Sequence, residues 1–156
     1  MHTYRPPIDS MTFVIGQVLE ATQDWQRLPA LSDCDDTLAR EVLQQAGRFA
    51  SEVLAPLNGS GDLQGCRWLD GVVKTPDGYA AAWGQFVEDG WPALSGDVED
   101  GGQGLPYLLN VALFEMLAAA NHGWTMYSGV QRGAYETIRA VATPELRQRY
   151  LPEVVS

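Results

Sequence analysis

The stretch LPYLLNVALFEMLAAA at 105–120 constrains this chain most, because its sixteen residues carry a single charge, Glu115. A helix that is apolar nearly all round has to be buried on most sides. It therefore predicts the centre of a helical domain, opening near Pro106 and ending at Asn121, His122 and Gly123. The other helical patterns are narrower and must pack around it. Segment 8–21 (IDSMTFVIGQVLEA) places Met11, Ile15, Val18 and Leu19 at helical spacing, with Asp9 or Ser10 as cap. In SDCDD at 32–36, Ser32 or Asp33 can cap a helix whose apolar stripe runs from Leu38 through Val42, Leu43, Ala46, Phe49, Ala50, Val53 and Leu54 to a stop at Pro56.

Residues 56–78 hold five glycines and two prolines. They predict a long loop over about 56–76 with room for a small hairpin. Such a loop inside a compact domain is usually functional or packed against something else. Thr75-Pro76-Asp77 opens a helix with Trp83, Phe86 and Val87 inward, stopped by Gly90. One helix is expected over 125–141, and Thr143-Pro144-Glu145 announces a last one ending at Pro152. The expectation is an all-α fold, an orthogonal bundle of about six helices with one core, since 156 residues make about one domain.

Charge narrows the function classes. Ten basic residues against twenty acidic give a net charge of −10, and the cations are scattered along the chain. Such a chain repels phosphate backbones, so nucleic-acid binding is disfavoured. Cys34 and Cys66 lack C-x-x-C neighbours and read as reduced buried thiols, with no metal site. The N-terminus has no basic patch followed by an apolar run and no segment is long enough to span a bilayer, which points to the cytoplasm.

Few constellations suggest chemistry. Gly101, Gly102 and Gly104 invite a phosphate-loop reading, yet no strand precedes them and Asp97, Glu99 and Asp100 stand where a phosphate would be repelled, so a tight structural turn is preferred. Those carboxylates lack calcium-loop spacing. His122 has no partner at useful spacing and reads as a loop or capping residue. Glu115 invites a general-base role, against which pairing with an arginine or a backbone group is preferred. The run WTMYSGVQRGAY at 124–135 is the most suggestive. Gly129 and Gly133 share a helix face at a cost of about 1 kcal/mol each relative to alanine. Either helices pack closely there, or Met126, Gly129, Val130 and Gly133 line a groove left open for an apolar ligand.

The order VEDGWPAL at 87–94, EDGGQGLP at 99–106, FEMLA at 114–118 and ATPELRQRYLPEVVS at 142–156 resembles the N-terminal helical domain of flavin-dependent acyl-CoA dehydrogenases. The opening YRPPIDSMTFVIGQVLEA at 4–21 resembles the extra N-terminal segment of their large, methylthiopropanoyl-CoA dehydrogenase-like subgroup. The likeness covers essentially the whole chain. Two positions depart from the family pattern: Ala142 replaces a glycine, and Asp100 replaces an aromatic before the glycine pair.

The resemblance implies a 1–31 N-terminal extension with a short helix, a 32–156 helical domain, and a β-barrel and C-terminal helical bundle lying outside this chain. It implies an acyl-CoA substrate, FAD held mainly by those other regions, an electron-transfer partner such as an electron-transfer flavoprotein, and a homo-oligomer. The base belongs to the C-terminal bundle, so no catalytic residue is expected here and Glu115 is released from that role. What the resemblance assigns to this domain is one wall of the acyl-chain pocket, on Met126, Tyr127, Gly129, Val130 and Gly133, open enough for a long, bulky or branched acyl group. The rival readings are a stand-alone helical interaction module and an acyl-CoA oxidase or non-catalytic homologue on the same scaffold.

Overall fold

A computed structural model describes residues 4–156, so residues 1–3 of the expected extension lie outside the described part. Helix α1 (Ile8–Phe13) continues as a π-helical turn (Val14–Val18), breaks at Glu20 with a left-handed φ of 49°, and gives way to α2 (Ala21–Gln26). The single helix expected over 8–21 is thus divided. The wider π turn rotates the apolar stripe off the core. Met11 and Ile15 are buried while Val18 and Leu19 are exposed. Pro7 takes the capping position in place of Asp9 or Ser10, and Asp9 instead pairs with Arg40 at 2.8 Å.

Helix α3 (Asp36–Arg48) is capped by Asp35, whose side chain accepts from the Leu38 amide at 2.8 Å. Ser32 and Asp33 do not cap it, because the chain there is folded into a turn closed by Cys34 N–H on the Leu31 carbonyl at 2.9 Å. The stripe on α3 buries Leu43, Ala46, Phe49, Ala50 and Leu54, as its spacing predicts.

Pro56 does not stop this helix. A π-helical turn (Phe49–Leu54) ends with the Ala55 amide on the Ala50 carbonyl, and α4 (Ala55–Gln64) starts there. The amide that proline lacks falls where the ladder changes register, so little is lost. The first half of the expected 56–76 loop is therefore helix. Its second half is a hairpin, β1 (Arg67–Leu69) and β2 (Val72–Lys74), joined by Asp70 and Gly71 at φ 47° and 86°. Two central residues with positive φ make the turn that suits a two-residue hairpin.

Helix α5 begins at Tyr79 and runs to Glu88, later than Thr75-Pro76-Asp77 suggests, because Gly78 in the left-handed region sets its start. The chain from Gly90 to Leu105 folds back on itself. Gln103 and Leu105 amides bond the Ala93 and Leu94 carbonyls, and Gly102 lies so close to Gly96 that a Cβ would sit 2.1 Å from its carbonyl carbon. Only glycine fits at such a backbone crossing.

Helix α6 (Tyr107–Val141) is two helices meeting at Asn121, whose φ of −158° and ψ of 88° are extended. The expected end at 121–123 and restart by 125 are both present. The first limb is central, with Leu109, Leu113, Met116 and Leu117 fully buried, although Glu115 is exposed. Phe49, Trp83, Phe86 and Trp124 pack beside it with ring centroids 5.3–6.0 Å apart. Met11, Ile15 and Trp25 belong to the same core. Helix α7 (Pro144–Val155) passes through Pro152, because Leu151 and Val155 bury one face against Tyr135. Among the described residues no helix is long and apolar enough to cross a membrane.

Candidate functional site

The break at Asn121 organises the second limb of α6. Its buried Oδ1 accepts from the Trp124 amide at 3.0 Å and from the Tyr79 hydroxyl at 3.2 Å, while Nδ2 donates to the Leu54 carbonyl at 3.3 Å. Asn121 thereby caps a new helix start from inside the core. Trp124 Nε1 donates to the Tyr79 carbonyl at 3.2 Å, and Thr125 Oγ1 donates to the Asn121 carbonyl at 2.8 Å. The closeness of Tyr79 requires Gly61, where a Cβ would stand 2.3 Å from the phenol oxygen.

These bonds hold α5 and the second limb apart at a fixed distance, leaving a groove of 690 Å³ lined by Thr75, Tyr79, Ala80, Trp83, Tyr127, Val130, Gln131 and Ala134. Its walls are apolar and aromatic with a few polar groups, the character of a small-molecule site. The Tyr79 and Tyr127 rings meet edge-on at 6.3 Å. At one end Cys66 Sγ lies 3.6 Å from the Tyr127 hydroxyl. That contact, then burial, pushes the Tyr127 phenol up to about 12 from 10.0. Cys66 is exposed, unlike the buried thiol expected, because the hairpin lifts it to the surface; Cys34 is buried.

The five residues anticipated from sequence divide between two faces. Tyr127 and Val130 line this groove. Gly129 and Gly133 line another, of 350 Å³, with Tyr107, Val111, Phe114 and Arg132. Met126 lies on the exposed arc and is 55% accessible. At about 100° per residue, positions 127, 130, 131 and 134 form one side of the helix, and 129, 132, 133 and 136 form the other. A Cβ at either glycine would meet nothing within 4 Å, so close packing within the described residues is not what the glycines serve. Thr75, Tyr79, Ala80, Trp83, Gln131 and Ala134 were not anticipated. Their shared groove follows from how α5 crosses α6, which no spacing within one segment encodes.

The other sequence candidates find structural roles or none. The amides of Gly101, Gly102 and Gly104 bond the Val98, Asp97 and Gly96 carbonyls at 2.8–3.1 Å, so the glycine loop has no free cradle. Asp100 accepts from the Tyr135 hydroxyl at 2.8 Å, the same hydroxyl accepts from the Asp97 amide at 2.9 Å, and Arg139 pairs with Asp97. Burial and the hydrogen bond to Asp100 raise the Tyr135 phenol. His122 is exposed, and Glu115 sits at the edge of a recess under α1 and not in the groove that Tyr127 lines. A groove of 920 Å³ between α3 and α5 has mixed walls, with Leu38, Val42, Phe49, Val53 and Trp91 beside Glu41, Arg48, Glu52 and Asp89. Among the described residues no three His, Cys, Asp or Glu side chains converge as a metal site would need.

Comparison with known proteins matches residues 37–156 to the family "Acyl-CoA dehydrogenase, N-terminal domain". A 3-methylmercaptopropionyl-CoA dehydrogenase of Ruegeria pomeroyi is 32% identical over 99% of this chain and 26% of its own length. A butyryl-CoA dehydrogenase of Syntrophomonas wolfei is 25% identical over 87% of this chain and 24% of its own. The chain spans about a quarter of the length of these curated relatives.

Proposed function

The chain belongs to the acyl-CoA dehydrogenase family as its N-terminal helical domain, and from that premise we propose that it forms one wall of the acyl pocket in an enzyme oxidising an acyl-CoA thioester to its 2,3-enoyl product. The single observation that carries the assignment is the apolar groove between α5 and the second limb of α6. Tyr127 and Val130 make the wall. Met126, on the exposed arc, and Gly129 and Gly133, which line the second groove on the other side of the helix, belong to the pocket through residues supplied from outside this chain. Its openness favours a long, bulky or branched acyl group.

The contribution of these residues is positional. Trp83, Tyr79 and Tyr127 hold the tail in one orientation and exclude water from it. FAD is the oxidant that the family uses, and the residues of this chain do not fit it: the glycine amides are bonded internally and Asp97, Glu99 and Asp100 surround them. No flavin step and no proton abstraction are assigned to them. In the same reading, residues 1–31 are an extension and 32–156 the domain. The whole enzyme is a cytoplasmic homo-oligomer that passes electrons to a partner such as an electron-transfer flavoprotein.

The test uses the 156-residue chain, isotopically labelled, and decanoyl-pantetheine. The thioester should shift the amides of Tyr127, Val130 and Ala134, and Ala134→Trp, which fills the trough from the solvent side, should abolish those shifts with the fold intact. Shifts elsewhere, or shifts indifferent to Ala134→Trp, would overturn the assignment. The same chain should bind no FAD and reduce no dye with any acyl-CoA.

A further inference from the structure

Buried polar atoms without partners collect at one junction of this fold. Among the described residues four side-chain nitrogens or oxygens are shielded from solvent and bond nothing. Three of them, Trp91 Nε1, Ser95 Oγ and Arg132 Nε, lie where the turn after α5 meets the second limb of α6. Arg132 fixes that placement, since its Nη1 donates to the Ser95 carbonyl at 3.2 Å. A buried donor left unpaired is costly, so native folds pair nearly all of them with protein groups or ordered water. Trp91 and Arg132 share a cavity of 20 Å³ whose wall includes Asn110 and Gln131. Trp91 is 8% exposed and Asn110 6%, so the polar lining is deep in the domain.

Volume and donors together define the occupant. A single water needs about 10–15 Å³ of such space, so the cavity suits one water and is too small for a phosphate or a carboxylate ligand. The occupant must accept two hydrogen bonds, because indole Nε1 and guanidinium Nε can only donate. It need carry no charge. The Arg132 guanidinium already pairs with Glu136 and lies 5.0 Å from the ring centres of Tyr107 and Tyr135. Acceptors for the occupant's own protons are Asn110 Oδ1 and Gln131 Oε1, the latter left over because Gln131 Nε2 donates to the Val154 carbonyl. We propose that one ordered water is bound here, accepting from Trp91 Nε1 and Arg132 Nε and donating to the Asn110 and Gln131 amide oxygens. Two bonds accepted and two donated complete its capacity, and they join the turn at Trp91 to both limbs of α6. The limb that carries Tyr127 and Val130 is thereby tied to the centre of the domain at a second place, besides the Asn121 cap.

The test is water-selective NOESY and ROESY of the labelled 156-residue chain, read at the indole N–H protons, with a crystal structure of the same chain as a second measurement. Trp91 should give a water cross-peak with the sign of the diagonal in NOESY and the opposite sign in ROESY, the signature of a long-lived bound water. Two other tryptophans are controls: Trp124 Nε1, which donates to the Tyr79 carbonyl, and Trp68, which is 69% exposed, should both lack that signature. Asn110→Leu, which removes an acceptor and fills the space with an apolar group, should erase the Trp91 cross-peak while its indole resonance remains. A peak relayed through the Ser128 or Tyr135 hydroxyl, both at the cavity, would survive that substitution. The crystal structure should place one water within hydrogen-bond reach of both Trp91 Nε1 and Arg132 Nε. No cross-peak in the parent chain, a cross-peak that survives N110L, or a protein acceptor on Trp91 Nε1 in the crystal would overturn the proposal.

Discussion

Asn121 shows how one side chain can decide a site. Its amide satisfies a helix start, a phenol and a carbonyl from three different elements, all of them buried. Asn121→Ala removes the cap and leaves those groups unpaired, so the folded state should lose about 2–4 kcal/mol, measured by chemical denaturation. An unchanged midpoint would mean that the break is imposed by packing alone. Tyr127 carries a pH signature. Its folded-state pKa lies above the unfolded value of 10.0, at about 12. Its contribution to stability is thus fully present below pH 10 and is lost as pH rises through about 12. Alkaline denaturation of Tyr127→Phe should accordingly be shallower across that window than that of the parent chain.

Among the elements, the second limb of α6 is the one whose sequence signal was strongest and whose meaning was least legible. The Gly129 and Gly133 pair lies on a face that nothing among the described residues packs against, since a Cβ at either would meet nothing within 4 Å. Gly129→Ala should therefore raise stability by about 0.5–1 kcal/mol through helix propensity, seen as a higher melting temperature. A loss would mean that the face packs on something in solution. Which groove each residue lines was not legible, because that depends on neighbours 40 and more residues away, such as Tyr79 beside Tyr127. The hairpin differs: Asp70-Gly71 between Leu69 and Val72 is a hairpin signal in plain view. The room left for a small hairpin in the 56–76 stretch is filled there, by β1 and β2. Pro56 misled for a different reason, since a proline breaks a helix only where its missing amide is needed, and the π turn removed that need.

At the scale of the whole molecule, the sequence determined that the chain is helical, which segment is its centre, where that centre breaks and which family it resembles. These follow from local rules: an apolar run must be buried, glycine and proline punctuate helices, and a string of motifs keeps its order in the chain. Only the tertiary structure decided the rest. It placed Tyr127 and Val130 opposite α5 and turned Gly129 and Gly133 to the other side. It bonded Asp100, in the glycine-rich loop, to Tyr135 on the second limb of α6. It also opposed Arg67 and Lys74 in a chain whose cations are dispersed in sequence. The physical reason is common to all three. Helix and strand periodicity fix which residues share a face, whereas the partner of that face is chosen by packing between segments distant in the chain.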